Sequence, residues 1–197
     1  MPKQGMEPIR RKALIEATIR AIHSEGYCKV TIGAIAREAK VSTGLAHHYF
    51  GSKEQLLSAT MRELYRQLGR DVREQLALAA TPLERVSAIV RANLSTGQFR
   101  PEVVSAWLAF YMQAQTEPAA QHLLALYHSR MHSNLAHALG RLVAAPLARE
   151  IARDTGAMID GYYLRRALGR PEAATEAAVA RIEAFVARSI SDAETPE

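Results

Sequence analysis

One cysteine in 197 residues cannot close an intrachain disulfide. That excludes a disulfide-stapled secreted scaffold and points to a reducing compartment. No apolar stretch approaches the ~20 residues that cross a bilayer as a helix. The opening MPKQGMEPIRRKALIEA carries charges with no apolar run behind them, so it does not read as a signal peptide. No segment alternates apolar and polar residues for long, which argues against a sheet. Also missing are a G-x-S-x-G elbow, a Gly-rich phosphate loop and a Cys–His pair of suggestive spacing. The expectation is a cytoplasmic protein that is not an enzyme, uses no cofactor and does not meet a membrane. The lone Cys28 falls near the end of the first helix and reads as a buried packing residue.

The charge present is unevenly placed. Residues 1–53 hold nine Lys/Arg against four Asp/Glu, whereas residues 54–197 hold sixteen of each. The whole net charge of +5 therefore lies in the first quarter, which suggests a polyanion partner there and another task in the neutral remainder. This sets expected domains at 1–53 and 54–197.

Ala, Leu, Arg, Glu and Gln dominate, and the chain reads as helices throughout. Pro8 opens a first helix with a stripe of Leu14, Ile15, Thr18, Ile19 and Ile22, and Gly26 stops it. Thr31 caps IGAIAREA, Ser42 caps TGLAHHYF after a break at Lys40–Val41, and Ser52 caps a long helix from Lys53. Prolines at 82, 101, 118, 146 and 171 then punctuate amphipathic runs at about 82–96, 101–116, 118–143, 147–168 and 172–190. The tail SDAETPE reads as frayed. The fold class is all-α, about nine helices.

The informative stretch is 31–53, TIGAIAREAKVSTGLAHHYFGSK. Two short helices meet across a tight turn, with small Ala36 and apolar Val41 where they pack: helix-turn-helix geometry. The second helix opens with Ser42, Thr43 and Gly44, so its N-terminal N–H groups could face a phosphate. The coupled pattern T-I-x-x-I-A-x-x-A-x-V-S-x-G-x-x-x-x-Y-F-x-S-K-E-x-L resembles the DNA-binding domain of the TetR family of repressors. The resemblance implies a homodimer on a palindromic operator, its last two helices forming a four-helix interface, with a ligand pocket in the neutral domain. The opening residues, VSTG, HYF, LLSATMRE, AWLAFY and IDG further resemble the choline-responsive members governing glycine-betaine synthesis genes. Leu45, Ala46 and His47 depart from the Ile-Ile-Ser run of those members.

By position, the resemblance assigns DNA contacts to Thr31, Gly33, Thr43, Gly44, Leu45, His47, His48, Tyr49 and Lys53. Thr43 and His47 suit base edges, and Leu45 a thymine methyl. Tyr49 and Lys53 suit phosphates, as do Arg10, Arg11 and Lys12 on the first helical turn. Phe50 reads as core between helices one and three; for Tyr49, core and phosphate stay open.

A quaternary ammonium has no proton to donate and is held by aromatic faces. Trp107, Phe110 and Tyr111 share one helix face at i, i+3 and i+4. Tyr127 follows on the next helix, and Asp160, Tyr162 and Tyr163 on the one after, with Asp160 able to add a carboxylate. Plain core packing is the competing account of each. A lipid, drug or aromatic inducer in the same fold is one alternative. A metal-responsive regulator is another, from His128 and His132 at i, i+4 with His122 and His137 nearby, though no Cys or carboxylate completes the set.

Overall fold

The computed structural model describes residues 5–169 and 175–194. Among them are nine α-helices and no strand: α1 Glu7–Glu25, α2 Ile32–Glu38, α3 Thr43–Phe50, α4 Lys53–Leu78, α5 Pro82–Asn93, α6 Pro101–Ala114, α7 Pro118–Leu139, α8 Ala145–Ala167 and α9 Thr175–Glu194. A single 3-10 turn covers Thr96–Phe99.

The chain divides into two compact units. The first holds residues 1–65 and 100–124, the second 66–99 and 125–197. In the first unit, the side chains of Thr31 and Ser42 accept from Ala34 and Leu45 N–H, so both short helices start where the capping residues place them. Ser52 does the same for Gln55 at the start of α4. The break between α2 and α3 is made by Lys40, whose φ of 55° is left-handed, and by Val41 N–H donating to Ala36 O at 3.0 Å. Ala36 and Ala46 are fully buried. Their lack of bulk lets α2 and α3 approach closely. Leu14, Ile35, Leu56, Leu57, Met61 and Phe110 fill the core, each such side chain contributing about 1.5–3 kcal/mol by leaving water. The helix α6 packs on α1, with His23 Nδ1 3.0 Å from Ser105 Oγ.

In the second unit, α9 packs against α5 and α8. Ile89, Leu135, Leu139, Ile159, Val179 and Ile182 are buried there. A capping box opens α5: Thr81 accepts from Glu84 N–H while the Glu84 carboxylate accepts from Thr81 and Ala80 N–H. Those N–H groups hold the Glu84 carboxyl below its usual range.

Several expected helix limits move. The α5 helix ends at Asn93 rather than 96, because the chain tightens into the 3-10 turn, and α7 ends at Leu139 rather than 143. The tail is helical through Glu194, since no Gly or Pro interrupts it before Pro196 and the buried Ile182 and Val186 anchor the preceding turns. The expected α9 start at 172 lies outside the described residues. Cys28 is exposed, because Gly26 (φ 78°) ends α1 two residues earlier and the turn carries Cys28 outward.

Candidate nucleic-acid interface and effector residues

The recognition element is built from α3. At 100° per residue, Ala46 and Phe50 form its inner face, and both are buried. Gly44 and His48 fall opposite them, with His47 on one flank and Leu45 on the other. Thr43, Gly44, His47 and His48 are exposed, and Leu45 and Tyr49 half-buried. Gly33 on α2 lies beside this helix: a methyl there would stand 3.7 Å from Thr43 Oγ1, an ordinary contact. Thr31 is exposed but its hydroxyl already caps α2.

Two of the expected cations hold the head together. Arg11 donates to Tyr49 O at 2.9 Å and lies over the Phe50 ring at 4.4 Å. Arg10, half-buried, and exposed Lys12 stand on the same turn of α1, Lys12 3.9 Å from Glu16. Lys53 Nζ donates to Tyr27 O at 3.1 Å. Phe50 is core, as its pattern suggested. His47 Nδ1 is 2.7 Å from Gly51 O.

A cleft of about 350 Å³ that no local pattern announces lies in the first unit, lined among others by Arg11, Tyr49, Glu54, Arg62, Gln113 and Glu117. These residues are far apart in the chain and converge only in the fold. Glu54 is held below the usual carboxylate range by its own backbone N–H, then by the Ser52 hydroxyl.

The candidate effector residues divide between the units. Trp107, Phe110 and Tyr111 lie in the first, on α6. Trp107 and Phe110 are buried. Tyr65 joins them, its ring edge-to-face with Trp107 at 4.9 Å and with Phe110 at 6.2 Å, while Tyr111 lies 5.7 Å from Trp107. Tyr65 carries no signal of its own in the sequence beyond following Leu64, a buried residue of α4.

Tyr127, Asp160 and Tyr163 lie in the second unit. Tyr127 donates to Asn93 Oδ1 at 2.9 Å. Asp160 meets His128 Nε2 at 3.2 Å. Tyr163 stacks on Phe99 at 5.1 Å and donates to Gln98 O. No group of three or more His, Cys, Asp or Glu among the described residues is arranged to hold a metal ion: His128 meets Asp160, and His132 meets the Arg149 carbonyl. No helix of the described residues is long and apolar enough to cross a membrane.

A capped helix-turn-helix head followed by an all-helical remainder is the architecture of transcription regulators whose second helix of the pair lies in the major groove. Residues 14–69 match the bacterial regulatory proteins of the tetR family, and residues 82–191 match the BetI-type transcriptional repressor C-terminal family. The chain belongs to the TetR family, in its BetI-type branch, and is a transcriptional repressor of that type rather than an enzyme. It is 48% identical over 191 residues to the HTH-type transcriptional regulator BetI of Brucella suis (strain ATCC 23445), covering 97% of this chain and 96% of that one. In fold it is similar to a protein of Pseudomonas aeruginosa PAO1 (TM-score 0.84, 24% identity, 95% and 93% of the two chains covered). It is also similar to a Saccharomonospora viridis protein crystallised in complex with choline (TM-score 0.78, 23% identity, 91% and 96% covered).

Proposed function

We propose that the chain is a homodimeric repressor of choline-to-glycine-betaine genes that binds a palindromic operator and is released by choline. The observation that carries this reading is near-full-length identity of 48% to a BetI regulator. The choline complex of a protein with the same fold supports the ligand. Residues 1–53 serve as the reading head and residues 54–197 as the ligand-binding and dimerisation part.

On DNA, Thr43, Gly44, Leu45, His47 and His48 face the major groove. Thr31, Gly33, Tyr49 and Lys53, with Arg10 and Arg11, hold the backbone around it. Choline carries no N–H on its quaternary nitrogen, so ring faces and a carboxylate must supply its attraction. In the first unit the rings of Tyr65, Trp107, Phe110 and Tyr111 are the group proposed to respond to it. In the second, Tyr127, Tyr163 and the Asp160 carboxylate are the candidates.

Half-sites read by one dimer lie ~34–36 Å apart, or a multiple of that. A ligand releases DNA only by binding better to a conformation with a different separation, and operator must then weaken choline by the same factor. Measuring choline affinity with and without operator tests the reading. A weaker choline affinity on operator supports it. Independent binding of both overturns choline as the inducer and leaves the repressor assignment, which rests on the family, in place.

A further inference from the structure

We infer that His47 reads an exocyclic amine in the operator's major groove, adenine N6 or cytosine N4, through a bare Nε2 acceptor. This rests on the proposal that α3 enters that groove. The Nδ1 of His47 lies 2.7 Å from the carbonyl oxygen of Gly51. A carbonyl oxygen has no proton, so the ring nitrogen is the donor and carries the hydrogen. A neutral imidazole has one N–H, and Nε2 is therefore left with a lone pair and no proton.

The carbonyl that fixes this tautomer is itself held. Gly51 N–H donates to His47 O at 2.7 Å, closing a reciprocal pair between the two residues. Gly51 takes a φ of 72°, and a methyl on it would collide with the Gln55 amide. Ser52 next caps α4 through Gln55 N–H, so the loop that presents the carbonyl is anchored on both sides. Turning the ring over would put a carbon against the Gly51 oxygen and lose the bond.

His47 is exposed and stands one helical turn after Thr43 on α3. In the major groove, adenine and cytosine offer amine donors, whereas guanine and thymine present N7, O6 and O4 acceptors at the corresponding edges. A lone pair at Nε2 is matched by the first two and repelled by the others. The residue thus acts by excluding guanine and thymine at one position of each half-site.

The test selects binding sites from random duplex DNA with the full-length protein and with His47→Asn. Asparagine places an amide nitrogen where Nδ1 was, so the bond to Gly51 O survives, while its Oδ1 ends where Cδ2 was, one bond short of the Nε2 acceptor. The wild-type chain is expected to enrich adenine or cytosine at one position per half-site. His47→Asn should lose about fivefold of preference there, the worth of one net hydrogen bond, with the other positions unchanged.

A second measurement needs no variant. In wild-type protein, replacing that base pair so that guanine faces His47 should weaken binding about fivefold. Nitrogen NMR of the neutral ring should show Nδ1 protonated and Nε2 bare. The inference is overturned by an unchanged preference in His47→Asn, by enrichment of guanine or thymine at the affected position, or by an Nε2–H tautomer. A wild-type chain that enriches no sequence while the Nδ1–H tautomer is observed overturns the DNA-reading proposal along with the base contact.

Discussion

Lys53 Nζ lies 3.1 Å from the Tyr27 carbonyl oxygen and 4.4 Å from the centre of the Tyr27 ring. The first helical residue of α4 thereby ties down the turn that follows α1, across 26 residues of sequence. An ammonium has three donors, and one bond to a carbonyl leaves others for a phosphate. Lys53→Ala is expected to act twice: it lowers the slope of log affinity against log salt by about one unit for all sequences alike, and it costs about 1 kcal/mol of stability through the lost bond. Salt titration of operator and random duplex, alongside denaturant unfolding, separates the two. A slope equal to wild type would leave Lys53 with the structural task alone.

The same tyrosine gives a prediction in alkali. Burial, then the carboxylates of Glu54 and Glu117, push the Tyr27 hydroxyl up to about 12. The folded state therefore favours the neutral phenol. Below the ordinary tyrosine value of about 10 both folded and unfolded chains are protonated and the shift has no effect. As pH rises from there towards about 12, the unfolded chain ionises first and stability falls. Tyr27→Phe should flatten that limb of the stability curve and remove the late step from the absorbance titration of the tyrosines. A late step still present in the variant would assign it to another residue.

These two relationships mark the limit of what the sequence shows. The caps Thr31, Ser42 and Ser52 were legible because a capping side chain bonds to an N–H three residues on, a purely local signal. The core place of Phe50 was legible as well, and the structure adds Ala46, four residues before it, to the same inner face. The tie from Lys53 to Tyr27, the bond from Arg11 to Tyr49 O, and the pairing of Asp160 with His128 span 26 to 38 residues. No spacing announces them. A basic residue on a first turn suits a phosphate, and the spacing of Arg11 says nothing of the Phe50 ring over which its guanidinium lies. The 3-10 turn at Thr96–Phe99 was hidden too, because Tyr163 holds Gln98 O from 65 residues away.

The capping box at α5 predicts an acid-sensitive helix start. Thr81→Ala should cost about 1 kcal/mol, as loss of an N-cap does. The Glu84 carboxyl is lowered by the N–H groups it accepts from, Thr81 first and then Ala80. A lowered folded value gives stability that is present above the ordinary carboxylate range and disappears as pH falls through the folded value. Glu84→Gln should therefore lower stability at neutral pH and flatten the acid limb, the variant and the wild-type chain converging where the Glu84 carboxyl is protonated. Urea midpoints across the acid range check this, and equal acid limbs would remove Glu84 from the account.

Trp107 is the only tryptophan and is 3% exposed, with the Tyr65 ring edge-on at 4.9 Å. Such a side chain packs the core whatever else it does, so Trp107→Ala would cost about 3–5 kcal/mol and confuse folding with response. Trp107→Phe is the sharper variant, because it keeps a ring facing Tyr65 and removes the larger π-surface that holds a cation best. With the proposed assignment, choline changes the fluorescence of the wild-type chain saturably, and Trp107→Phe keeps its operator affinity while needing several-fold more choline for release. DNA affinity and choline-induced release are measured on the same samples by fluorescence anisotropy of labelled operator. If release is unchanged in Trp107→Phe while choline still binds, the responsive rings are those of Tyr127 and Tyr163 in the second unit. Tyr163→Leu, which unstacks the ring lying 5.1 Å from Phe99, should then raise the choline requirement instead.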